Sequence, residues 1–163
     1  MKQVDGETTL NLLGMDYLKE ASTFGALSSE AIKELMTKGT IYLLQPGDLL
    51  FRVGDSGNSF FVVLKGTIEY HHALEDGYEQ LNELNYGDLI GFVNLITLTS
   101  RLGTATAATE SYVLEVSDDL FYALHCERPV DFGLLLLNLA RDMGRRIIYL
   151  ATHWAKQKHE LHN

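Results

Sequence analysis

Between residues 40 and 117 the chain alternates short apolar or β-branched runs with glycine turns, a rhythm that predicts about eight strands. The runs cover 41–44, 49–53, 60–64, 67–72, 80–84, 89–90, 104–109 and 112–116. Between them stand Pro46-Gly47-Asp48, Gly54-Asp55-Ser56-Gly57, Lys65-Gly66, Asp76-Gly77 and Tyr86-Gly87-Asp88. Glycine in each divider supplies the positive φ that tight turns need. Short strands at such even spacing predict an antiparallel sandwich, barrel or jelly roll.

The flanks follow a helical period instead. Residues 1–27 form a helical lead-in, with Leu10, Leu13, Tyr17 and Leu18 at helical spacing. Ser28 or Ser29 caps a helix that runs to Lys38, has Glu30 and Glu34 near its start and ends at Gly39. Asp118 and Asp119 open a short helix to about Cys126, and Pro129 starts a long one to about Lys158. In that last helix Leu136, Ala140, Met143, Ile147, Leu150 and Trp154 follow steps of four and three, a heptad seam. Phe132, Leu135, Leu139 and Ile148 lie to one side and are expected to pack on the sheet domain. A helix with two apolar faces has two partners. One is its own domain. The other is either the same helix of a second subunit or another part of the same chain. The expected organisation is a lead-in (1–27), a roll (28–128) and a C-terminal helix (129–163) for dimerisation.

At 163 residues this is one domain's worth of protein, with 46% hydrophobic and 21% charged residues, enough to bury a core. The net charge of −9 opposes a general nucleic-acid surface. Arg141, Arg145 and Arg146 form a candidate basic patch, to be weighed against a solvated helix face. One cysteine, Cys126, excludes an internal disulfide and is compatible with a reducing cytoplasm. The N-terminus lacks a signal-peptide pattern, and the longest apolar run, 134–137, is far too short to cross a bilayer. A soluble cytoplasmic protein that does not bind membranes is expected.

The stretch Pro46-Gly47-Asp48-Leu49-Leu50-Phe51-Arg52-Val53-Gly54-Asp55-Ser56-Gly57-Asn58-Ser59-Phe60-Phe61-Val62-Val63-Leu64-Lys65-Gly66 closely resembles the opening of the cyclic-nucleotide-binding domain family. So do Asp76-Gly77 in a hairpin and Leu84-Asn85-Tyr86-Gly87-Asp88 leading into Ile90-Gly91. The likeness covers roughly residues 24–146. It implies a mainly β fold with flanking helices: a double-stranded β-helix, or jelly-roll, of eight strands with a long C-terminal helix that moves or dimerises. It also implies a phosphate-binding cassette, in which a short helix offers backbone N–H groups to a cyclic phosphate. A glutamate there takes the ribose 2′-hydroxyl and an arginine grips the phosphate with its planar fork.

By this resemblance the cassette spans residues 90–105 and includes Gly91, Phe92, Val93, Asn94, Arg101, Leu102, Gly103 and Thr104. Arg101, ten residues after Gly91, stands at the phosphate arginine's position, and Thr104 where a small hydroxyl residue is common near the base. Phe92 replaces the ribose glutamate, and Leu102 the small, usually polar, residue beside the arginine. Losing a charge-assisted hydrogen bond of roughly 1.5–3 kcal/mol weakens binding by about one to two orders of magnitude. Phe92 also adds bulk that is expected to fill the ribose space or close a vestigial pocket. Arg101 is then a surface arginine or the anchor of a different anion.

Other chemistry is weakly signalled. A cupin-type metal site needs histidines two apart on one strand face, whereas His71 and His72 are adjacent and point to opposite faces. His125, His153, His159 and His162 show no metal-ligand spacing, although His159 could touch Trp154 or Lys156. Gly54-Asp55-Ser56-Gly57 lacks the lysine and helix of a P-loop and is read as a turn. No nucleophile motif surrounds Cys126, so no catalytic or metal-ligating set is assigned. Three readings stay open. The first is a non-enzymatic regulatory sensor, related to the catabolite activator, that takes cyclic AMP, cyclic GMP or another small anion. The second is a ligand-free scaffold acting through a homodimer or a protein partner. The third is a cupin-like metalloenzyme. The catabolite activators carry a recognition helix after the long helix. This chain ends at Asn163, so direct DNA reading is not expected.

Overall fold

Asp5, Ser28 and Ser117 each accept a hydrogen bond from a backbone N–H three residues on, and each opens a helix. The computed structural model describes residues 1–74 and 77–160. It runs β1 (Lys2–Val4), α1 (Gly6–Leu13), α2 (Met15–Lys19), a 3-10 turn (Ser22–Phe24) and α3 (Ser29–Lys38). Then follow β2 (Thr40–Leu44), β3 (Leu49–Phe51), β4 (Ser59–Lys65), β5 (Ile68–Leu74), β6 (Gly77–Leu84) and β7 (Leu89–Ile90). The chain closes with α4 (Phe92–Thr97), β8 (Gly103–Ala107), β9 (Ser111–Ser117), α5 (Asp118–Glu127) and α6 (Pro129–Glu160). Asp76 of the predicted Asp76-Gly77 turn and His162 lie outside the described residues, as does the His159 side chain.

Two antiparallel sheets, ordered β1-β2-β9-β4-β7 and β3-β8-β5-β6, form the roll. The expected mainly β architecture with flanking helices and a long final helix is the one observed. In β4 every residue except Lys65 is buried, because the first sheet is covered on both faces. Phe60, Val62 and Leu64 pack with the helices, whereas Phe61 and Val63 face the roll interior with Leu44, Ile68 and Val113. The second sheet has one wet face, so β8 alternates buried Gly103, Ala105 and Ala107 with half-buried Thr104 and Thr106.

Two expectations change. Helical spacing in 1–27 gives α1, α2 and the 3-10 turn, but Lys2–Val4 adds a strand paired with β2. On α6, Leu135 and Leu139 are fully buried and Phe132 packs beside them, but Ile148 is 69% exposed. The helix has left the roll by that point, so Ile148 finds no sheet to cover it. Of the predicted seam, Leu136, Ala140, Ile147, Leu150 and Trp154 are exposed, while Met143 packs partly on the domain's own core. Among the described residues, no helix is long and apolar enough to cross a membrane.

Candidate functional site

The cassette hangs on one glycine. Gly91 sits at φ +80°, where a side chain is strained, and any β-carbon there would overlap Arg101 Nη1. Its carbonyl accepts from that Nη1 at 3.1 Å. Behind it, Asn94 donates to the Ser100 carbonyl at 2.9 Å and to Thr99 Oγ1 at 3.2 Å, pinning the loop that delivers Arg101. The Gly54–Gly57 turn holds the same loop from the other side. Gly54 N–H donates to the Arg101 carbonyl at 2.8 Å, and Arg101 N–H donates to the Asp55 carbonyl at 2.9 Å. The segment read as a turn is therefore a brace for the arginine.

Arg101 is not a surface arginine. It is 2% exposed and lies against two aromatic rings, its Cζ 4.6 Å from the Phe51 centroid and 5.3 Å from that of Phe61. Desolvated cation–π contacts of this kind are worth about 2 kcal/mol. Nη2 donates to Ser59 Oγ at 2.9 Å; Ser59 donates to Glu115 Oε1 at 2.7 Å; Tyr42 donates to Glu115 Oε2 at 3.0 Å. Among the described residues, no carboxylate comes within ion-pairing distance of the guanidinium, and Nε–H is buried without a partner. Burial pushes the Arg101 pKa down, opposed by the charges of Glu115 and Asp55. Burial, and next the Glu115 carboxylate, push the Tyr42 phenol up to about 12, so it stays a donor. These side chains line a cavity of about 250 Å³ together with Met1 and buried Leu50, with the exposed Asp55, Ser56 and Asn58 at its rim.

The other cassette residues disperse. Phe92 is buried but does not line the cavity. It turns to the helix side, edge-on to Phe60 at 5.5 Å and to Phe121 at 6.0 Å. The expectation that Phe92 closes the pocket is thus corrected. The space beside Arg101 is taken by Phe51 and Phe61, and Tyr70 reaches so close to Gly103 that a β-carbon there would overlap it. Val93 and Leu102 are exposed, and Thr104 Oγ1 accepts from Val53 N–H at 3.2 Å. Ser59, Glu115, Tyr42 and Tyr70 were missed from the sequence. One signal was readable: alternation along 111–117 puts Glu115 on the inward face with Val113.

The remaining candidates are local. Arg146 pairs with Asp142 at 2.8 Å and donates to the Leu89 carbonyl, and Arg145 approaches Asp142 at 3.8 Å, so the basic patch is partly neutralised. His125 packs edge-on to Phe132, His153 lies tilted against Tyr149, and His71 lies 3.5 Å from Glu69.

A two-sheet roll followed by a long helix, with a glycine-capped helix and loop presenting an interior arginine, defines the cyclic-nucleotide-binding type of β-roll. The family model for the cyclic nucleotide-binding domain matches residues 43–127, and the chain belongs to that family. It is 30% identical to the N-terminal domain of a transcriptional regulator from Streptomyces coelicolor A3(2), covering 80% of this chain and 94% of that one, with a TM-score of 0.68. A cyclic nucleotide-binding domain from Methylobacillus flagellatus KT shares the fold at TM-score 0.81 and 18% identity, covering 96% of this chain and 88% of that one. The lysophospholipase NTE1 of Mycosarcoma maydis is 28% identical over 101 residues, which is 62% of this chain and 5% of that protein. The chain thus spans a small fraction of the curated relative it matches.

Proposed function

We propose that the chain is a non-enzymatic sensor domain whose ligand is a small anion, a cyclic nucleotide such as cyclic AMP or cyclic GMP among them, anchored by Arg101. One observation carries this reading. A guanidinium 2% exposed, with no carboxylate at ion-pairing distance among the described residues and an unpartnered Nε–H, is a costly group to keep in a core. An orphaned buried donor costs about 1–3 kcal/mol, and a bound anion would recover it. The output is the position of α6. Phe92 leans on Phe121, which packs on Phe132 of α6 at 4.9 Å, so a cassette that shifts on binding pushes an aromatic chain ending on that helix. Binding moves this balance only through unequal affinity for the two helix positions. The exposed α6 seam supports a homodimer, and the exposed Cys126 thiol is consistent with a cytoplasmic setting.

A ligand-free scaffold is the second reading. It is supported by the Phe51 and Phe61 rings against Arg101 and by the absence of a carboxylate at Phe92. Calorimetric titration with 3′,5′-cyclic AMP and cyclic GMP separates the two, with Arg101→Ala as control and circular dichroism to check its fold. Micromolar binding that the control abolishes supports the sensor. No heat at millimolar ligand from folded wild type supports the scaffold.

A further inference from the structure

The cavity beside Arg101 carries both signs of charge. Arg101 stands on one wall and Glu115 and Asp55 stand on others, while the Met1 ammonium, also in the lining, is already paired with Asp48 at 2.6 Å. A bare anion entering there meets two carboxylates as well as its arginine. We infer that this cavity is a site for a small zwitterion, its anionic end on Arg101 and an ammonium a few bonds away on Glu115, with Asp55 at the rim.

This rests on the reading of Arg101 as an anion anchor, and it names what else the ligand must carry. Nε and Nη2 form one edge of the guanidinium, the edge that grips an anion with two hydrogen bonds. Among the described residues, that edge has an unpartnered Nε–H and an Nη2 held only by the Ser59 hydroxyl. An arriving anion takes both, and Ser59 keeps its own proton on Glu115. Glu115 is one hydroxyl away from the guanidinium, close enough to serve the same small molecule but too far to neutralise Arg101 directly. Each of its oxygens accepts one hydrogen bond, from Ser59 or Tyr42, and retains a further lone pair for an ammonium. A volume of about 250 Å³ lies just under the range of drug-sized pockets and suits a compact ligand. The apolar floor of Leu50, Phe51 and Phe61 accepts the carbons between the two charges.

The test is an amide-shift NMR titration with two probes that differ only in the ammonium, propylphosphonate and 3-aminopropylphosphonate. The expected result is at least tenfold tighter binding of the aminophosphonate. Glu115→Gln should erase that preference, bringing the two probes to the same still measurable affinity, a change of ratio that loss of structure would not produce. Asp55→Asn, in an exposed turn, provides a second reading of the same effect if Glu115→Gln fails to fold. Equal binding of both probes, lost in Arg101→Lys, overturns the zwitterion inference and leaves the anion anchor standing. No binding of either probe, with cyclic nucleotides also silent, overturns both.

Discussion

Phe92 and Gly91 are neighbours with opposite duties. Phe92 stands where the family resemblance asks for a glutamate, yet its ring lies 4% exposed among Phe60 and Phe121, away from the cavity. Restoring the acid therefore restores nothing. Phe92→Glu buries a charge among aromatic rings, and it should destabilise the domain without raising nucleotide affinity. Phe92→Ala should cost about 3–5 kcal/mol by urea denaturation, as large-to-small changes in a packed core do; a loss under 1 kcal/mol would mean that the ring is not core. Gly91→Ala meets both a positive φ and the Arg101 guanidinium. It should cost roughly 2 kcal/mol or more and release Arg101 from the Gly91 carbonyl. The family resemblance placed Arg101 and Gly91 in one cassette, because the ten-residue spacing it asks for is readable in one dimension. It did not show which way Phe92 turns, because that depends on α5 packing over α4 from residues nearly thirty positions away.

An ionic clamp ties α3 to the junction of α5 and α6. Glu34 of α3, 10% exposed, accepts from Lys38 at 2.6 Å and from Arg128, between α5 and α6, at 2.7 Å. Hydrogen bonds first from Lys38 and then from Arg128 hold the Glu34 carboxyl at about 2, against an ordinary value of 4.5. A pKa depressed by folding means that stability is fully present above the unfolded value and is lost as pH falls through the folded one. The clamp should therefore weaken between about pH 5 and pH 2. Because Lys38 is half exposed and Arg128 about a third exposed, solvent screening reduces what the clamp contributes. Glu34→Gln should flatten the acid limb of the stability curve over that window, measured by thermal denaturation against pH. An unchanged limb would show that other carboxylates govern it. The helices involved were legible from Ser28, Gly39, Asp118 and Pro129, because caps are local chemistry. Strand β1 was not, since three residues, Lys2-Gln3-Val4, are too few to show a period and form a strand only because β2 offers an edge.

At the scale of the whole molecule, α6 is the element whose surface the domain leaves unfinished. Its 32 residues span about 48 Å, and its first half is anchored by Leu135, Leu139 and an Asn138 amide that donates to the Thr23 and Gly25 carbonyls. Arg146, bound to the Leu89 carbonyl, is a late polar tie to the roll. Beyond it Ile147, Ile148, Tyr149 and Leu150 follow in succession, each more than half exposed. Exposed apolar surface of this extent on a helix marks an interaction site. The seam spacing, which Ile147 and Leu150 continue from Leu136 and Ala140, fits a second copy of the same helix. Pairing would also give a shift at the cassette something to act on, because the angle between two α6 helices amplifies small movements at their bases. Sedimentation equilibrium of wild type should show a dimer. Ile147→Asp with Leu150→Asp should give a monomer of unchanged circular dichroism, since both side chains are about two thirds exposed and lie beyond Arg146. A wild type that sediments as a monomer at tens of micromolar would reject the paired helix. The exposed stripe would then belong to a different protein, and the aromatic chain from Phe92 to Phe132 would report to that partner.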